Sequence, residues 1–167
     1  MYCESWPGLN LFGGARADGT ATLHRNGHDL HGHFFGQSSL ATRALAPAGG
    51  VIKVPREAPL ELLGPLACGV QTGAQSVLNV LRPEPGSALA IFGAGGVGLS
   101  ALIAAVHLTG ATVTMVDVNP VRLELATRLG AAYVVNAREQ DSVAALQEIT
   151  GGRGSTGRWR RPASPLC

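Results

Sequence analysis

The sequence predicts an α/β protein: the first three strands of a doubly wound parallel sheet in its second half, preceded by an all-β region. Three observations carry this. Strand-like and helix-like stretches alternate three times from residue 88 onward, joined by short links, the pattern of a sheet wound by right-handed crossovers. A glycine run, GAGGVG at residues 93–98, sits between the first such strand and the first such helix. Of the 167 residues, 46% are apolar and only 14% charged, which describes a packed α/β-type protein and argues against disorder.

Taken in order, residues 1–32 are loop-like, with turn clusters at PGLN, FGGARADGT and HRNGHD. Residues 33–46 and 51–54 (VIKV) read as short strands, closed by Pro55. Residues 59–81 turn helical, with Leu62, Leu66, Val70, Val77, Leu78 and Leu81 at helix-like spacing and a break at Gly64-Pro65. ALAIF, residues 88–92, is a buried strand, and LSALIAAVHL, residues 99–108, is a helix stopped by Gly110. ATVTMVDV, residues 111–118, is the second strand. The next helix takes Asn119 as N-cap, Pro120 at its first position and Gly130 as its stop. AAYVVN, residues 131–136, is the third strand, and DSVAALQEIT, residues 141–150, the third helix.

The longest apolar stretch, ALIAAV, is too short to span a bilayer, and the N-terminus does not read as a secretory signal. Three distant cysteines do not make a disulfide framework, so a reducing, cytoplasmic setting is expected. The net charge of +2 comes from Arg153, Arg158, Arg160 and Arg161; without them 9 basic residues face 11 acidic ones. The basic character therefore belongs to a tail, and no nucleic-acid or membrane partner is expected.

The glycine run fits G-x-G-x-x-G in its required context. Gly93 permits a tight turn, Gly95 leaves room for a pyrophosphate, and Gly98 lets helix and strand pack closely. The helix start offers N–H groups to phosphate. Asp117, nineteen residues after Gly98, ends the second strand. A carboxylate there accepts ribose hydroxyls and repels a 2′-phosphate, so NAD is favoured over NADP. His24, His28, His31 and His33 crowd together, but with no completing cysteine or carboxylate pattern they read as a polar hairpin loop. Cys68, in LACGVQTG, reads from composition alone as a buried apolar cysteine.

The stretches HFFGQSSLATRALAPAGGVIKVP, LLGPLACGVQTGAQSVLNVLRPEPGSALAIFGAGGVGLSALIAA and VDVNPVRLELATRLGA resemble the zinc-dependent medium-chain alcohol dehydrogenases, most closely their aryl-alcohol (benzyl-alcohol) branch. The resemblance covers about residues 3–153. It implies a remnant of a GroES-like catalytic domain over residues 1–54 and a helical connection over 55–87. The N-terminal half of a Rossmann cofactor domain follows over 88–154, and residues 155–167 are a basic tail outside the family pattern. It also implies roles. Cys68 matches a catalytic-zinc ligand, and Thr72 a residue beside the nicotinamide. Gly93, Gly95, Gly96, Val97 and Gly98 match the pyrophosphate loop, Asp117 the adenosine-ribose ligand and Arg122 a side chain near that ribose. Cys3 matches the last of four structural-zinc cysteines.

The implied cofactors are NAD and zinc. The implied chemistry is hydride transfer between a primary aryl alcohol, or its aldehyde, and NAD, in relatives that form homo-oligomers. The family's Gly-His-Glu zinc motif does not occur in this sequence, and one thiolate does not build a site that takes three protein ligands. The resemblance therefore implies a fragment truncated at its N-terminus and inactive by itself, or an adenosine-binding module without catalysis. One choice of codons for residues 155–167, shifted by one nucleotide, reads as a family-like strand, so the tail is expected to be a frameshift product.

Overall fold

The computed structural model describes residues 4–11, 15–16, 18–21, 23–30, 42–43, 46 and 48–154. Of these, the residues up to Arg56 and those from Glu57 to Gly154 fall into two compact units. Cys3, most of the strand expected within residues 33–46, and the tail at 155–167 lie outside the described residues.

In the first unit a short helix, α1 (Trp6–Asn10), precedes a two-stranded antiparallel hairpin, β1 (Leu23–Arg25) and β2 (His28–Leu30). The hairpin turns on Asn26 and Gly27, whose φ angles are +53° and +76°. Asn-Gly suits such a turn because both positions need positive φ, and the turn's twist matches that of the flanking strands. The HRNGHD cluster is thus a turn with short strands on either side, and His24 Nδ1 lies 2.7 Å from Asp29 Oδ1 across the ladder. The VIKV strand does not form. Among the described residues, 51–54 have no ladder partner, and Ile52 is 91% exposed. Pro55 biases the residue before it toward extended backbone but offers no N–H of its own to a ladder, so strand-like composition here does not require a sheet.

The second unit begins with α2 (Leu60–Leu63), which passes into a 3-10 turn at Gly64–Ala67, where Pro65 interrupts the helix. Helix α3 (Gly69–Gln75) follows and widens into a π-helical turn, Ser76–Leu81. The parallel sheet then begins: β3 (Ala88–Phe92), β4 (Thr112–Asp117) and β5 (Tyr133–Asn136), in spatial order β3-β4-β5. The register pairs Ala88 with Thr112 and Thr114 with Tyr133. Between the strands run α4 (Gly96–Ala104), widening at Ala105–Thr109, and α5 (Pro120–Arg128); α6 (Ser142–Ile149) follows β5. This is the three-stranded first half of a doubly wound sheet, as the alternation of strands and helices predicts.

The core lies between the sheet and the helices. Leu89, Val113 and Met115 from the strands meet Leu102, Ala104 and Ala105 from the α4 segment and Leu123 and Ala126 from α5. Caps fix the helix starts: Asn119 Oδ1 accepts from the N–H groups of Val121 and Arg122, and Asp141 Oδ1 from those of Val143 and Ala144. Gly110 and Gly130 stop their helices at φ of +71° and +102°.

Two glycines set how closely the layers approach. A Cβ on Gly98 would stand 1.8 Å from the Gly93 carbonyl oxygen, so only glycine lets α4 start this close to the end of β3. A Cβ on Gly73 would stand 2.1 Å from the Val97 carbonyl oxygen and 2.8 Å from the Ala101 nitrogen, so α3 crosses α4 backbone to backbone.

Candidate functional site

The site forms at the C-terminal ends of β3, β4 and β5, where open α/β sheets leave their binding crevice. Gly93 leaves β3 with φ +96°, a conformation L side chains rarely adopt, and its N–H donates to the Val116 carbonyl at 2.7 Å. Ala94 is buried, and its N–H donates to Asp117 Oδ2 at 2.6 Å. Gly95 caps α4 in extended backbone, and its carbonyl accepts the first helical bond, from Leu99 N–H. The loop is therefore held by β4, through one backbone and one side-chain acceptor.

The three glycines of the motif are physically distinct. Gly93 is required by its φ, and Gly98 by helix–strand contact. Around Gly95 and Gly96 a Cβ would meet nothing within 4 Å. The protein itself places no demand for glycine at those two positions, whereas a ligand lying against the backbone would. The NAD implied by the resemblance thus fits these residues: a tight turn, an open approach over Gly95, and the start of α4 facing that opening.

Asp117 is half-buried and accepts a second bond, from Asn119 N–H to Oδ1 at 2.8 Å. The Ala94 N–H, then the Asn119 N–H, hold its carboxyl below the usual carboxylate range, with a smaller contribution from the Arg122 guanidinium. A carboxylate offers about four acceptor sites, so two backbone donors leave room for hydroxyl donors. Beside it opens a cleft of ≈ 280 Å³ lined by Asp117, Val118, Asn119, Pro120, Arg122 and Arg138. Asp117 and Arg122, both named by sequence reasoning, share this cleft. Arg138 was missed; its signal was a position just past the end of the third strand, at the crevice rim.

Cys68 and Thr72 sit together at the start of α3, where Thr72 N–H donates to the Cys68 carbonyl at 2.8 Å. Both side chains are exposed, so the composition-based expectation of a buried cysteine is corrected: Cys68 lies at an irregular junction between the 3-10 turn and α3, not on a core-facing stripe. Through Gly73 the same short helix touches α4 at Val97. Zinc, by contrast, does not fit the described residues. Among them no three His, Cys, Asp or Glu side chains converge, and a tetrahedral site takes at least three.

The family model for zinc-binding dehydrogenases matches residues 96–156. The chain is 47% identical over 145 residues to the geraniol dehydrogenase of Castellaniella defragrans, a match covering 86% of this chain and 39% of that protein. Its fold is similar to a crystal structure of an alcohol dehydrogenase zinc-binding domain protein from Burkholderia ambifaria, at TM-score 0.78 and 55% identity, over 90% of this chain and 41% of that one. It is also similar to the benzyl alcohol dehydrogenase of Acinetobacter calcoaceticus, at TM-score 0.76 and 46% identity, over 90% and 40% of the two chains. The chain thus spans about two fifths of the length of these relatives. A phosphate-loop geometry of this kind, coupled to identities this high, leaves one assignment: the chain belongs to the zinc-binding dehydrogenase family.

Proposed function

We propose that this chain supplies the adenosine-diphosphate side of an NAD site belonging to a zinc-dependent oxidoreductase that transfers hydride between a primary aryl alcohol and NAD. The supporting observation is the 2.6 Å tie between Ala94 N–H and Asp117, set beside Gly95, where a Cβ would meet nothing within 4 Å. In this reading Gly93, Gly95, Gly96, Val97 and Gly98 cradle the pyrophosphate. Asp117 accepts the adenosine-ribose hydroxyls, and Arg122 stands at the rim of their cleft. Thr72 lies toward the nicotinamide, which accepts hydride when bound. Cys68 is a zinc ligand by descent, and Cys3 a structural-zinc cysteine.

Among the described residues one exposed cysteine does not close a zinc site, so the chain by itself is proposed to bind nucleotide without oxidising alcohol. Calorimetric titration of the purified chain tests this. ADP-ribose and NAD are expected to bind with equal affinity, because the residues engaged all lie on the adenosine side. Absence of ADP-ribose binding, or zinc-dependent, NAD-coupled oxidation of benzyl alcohol by this chain alone, overturns the reading.

A further inference from the structure

The cleft beside Asp117 holds more positive charge than a ribose diol calls for. Arg122 enters it from the first turn of α5 and Arg138 from the loop after β5. Among the described residues neither guanidinium donates a side-chain hydrogen bond or joins an ion pair. The obvious partner for Arg138, its neighbour Glu139, is diverted: Asn136 Nδ2 donates to Glu139 Oε1 at 2.6 Å. Asn136 Oδ1 meanwhile accepts the Arg138 backbone N–H at 3.1 Å, fixing the turn from which the arginine leaves. The rest of the lining includes two apolar residues, the exposed Val118 and Pro120. Such a cleft suits an occupant that presents hydroxyls to a carboxylate, an apolar edge to Val118 and Pro120, and a flat π-face to a planar cation.

We infer that Arg138 stacks its guanidinium on the adenine of the bound nucleotide, as a second wall of the cleft across from Arg122. This rests on the nucleotide reading above and adds a residue that holds the base in place. Arginine suits the task because its charge is delocalised over a plane and only weakly hydrated, so it lies on an aromatic face at little desolvation cost. A 2′-phosphate is the competing occupant for a pair of arginines. Here it would face the Asp117 carboxylate, which disfavours it.

The experiment titrates the full chain and its Arg138→Ala and Arg138→Lys variants with ADP-ribose, 2′,5′-ADP and the fluorescent 1,N6-etheno-ADP. Arg138 is exposed, and matching circular dichroism spectra serve as the check on folding. Arg138→Ala is expected to weaken ADP-ribose about three- to five-fold, with Arg138→Lys recovering only part of the loss, since it restores charge without the plane. The emission change of the etheno-adenine on binding is expected to shrink in both variants. Unchanged ADP-ribose affinity and unchanged etheno emission in Arg138→Ala overturn the inference. So does a loss confined to 2′,5′-ADP, which makes Arg138 a phosphate anchor instead. If the unaltered chain binds none of the three ligands, the nucleotide reading falls first, and this inference with it.

Discussion

At the residue scale, Asp117 and the glycines of the loop separate what the fold needs from what a ligand needs. The Asp117 carboxyl is held below its ordinary value by the N–H groups of Ala94 and Asn119. A depressed carboxyl contributes stability in full above its unfolded pKa, about 3.9, and loses it as pH falls through the folded value. Asp117→Asn is therefore expected to flatten the acid limb of a urea-midpoint-versus-pH curve below about pH 4; an unaltered limb contradicts the role given to those two N–H bonds. Gly98→Ala drives a methyl into the Gly93 carbonyl and is expected to cost on the order of 3 kcal/mol, read as a drop in Tm of roughly 10 °C. Gly95→Ala meets only open space at an ordinary φ of −84°. Its Tm is expected to stay put while affinity for ADP-ribose falls roughly ten-fold or more. If Gly95→Ala instead lowers Tm and leaves the nucleotide affinity of the folded chain intact, the division of labour is reversed.

The loop was legible in the sequence because glycine at fixed offsets has few physical uses, and a strand before it with a helix after it removes most of them. Arg138 was harder to read, because its position past the third strand was the one signal it gave. An arginine in a polar turn looks like any solvated charge until the fold brings the end of β5 beside the end of β4. Gly73 was equally silent: a glycine within a helical stretch reads as a weakness, and only the α3–α4 crossing shows what it permits.

At the scale of elements, the sequence spoke most clearly where several local signals agreed. Helix α5 has its cap, its first-turn proline and its stopping glycine all in place, and forms as expected. Asn119→Ala removes the acceptor for two N–H groups and is expected to cost about 1 kcal/mol in chemical denaturation. A change well below that would mean the Asp117–Asn119 turn alone sets the helix start. Where only one signal was available, the reading failed. VIKV has strand-like composition, but a strand also needs a neighbour's backbone, and among the described residues these have none. The histidine-rich stretch shows the converse, since its Asn-Gly pair carried enough local geometry to specify a hairpin.

At the scale of the whole molecule, three strands leave two sheet edges, and Phe92 at the end of β3 is 65% exposed. No helix among the described residues is long and apolar enough to cross a membrane. Because the loop, the cleft and the core share β3 and β4, nucleotide binding is linked to the stability of the entire sheet. ADP-ribose at a hundred times its dissociation constant is expected to stabilise the chain by about 2.7 kcal/mol, seen as a concentration-dependent rise in Tm. A Tm indifferent to ligand at that saturation would place binding outside the folded sheet.

The contact at Gly73 has a mechanical consequence. Helix α3 begins beside Cys68, carries Thr72, and one residue later rests its main chain directly on the main chain of α4. Gly73 puts no side chain into the crossing, and the nearest atoms of α4 are the Val97 carbonyl oxygen, the Ala101 nitrogen and the Ser100 Cβ, so no rotamer of residue 73 can flip to change the spacing. The spacing between the thiol-bearing turn and the dinucleotide loop thus behaves as a stiff calliper, with its tolerance set by peptide geometry instead of by packing. Substitutions elsewhere on α3 can alter what faces solvent without altering that gauge, whereas the addition of a single carbon at residue 73 resets it.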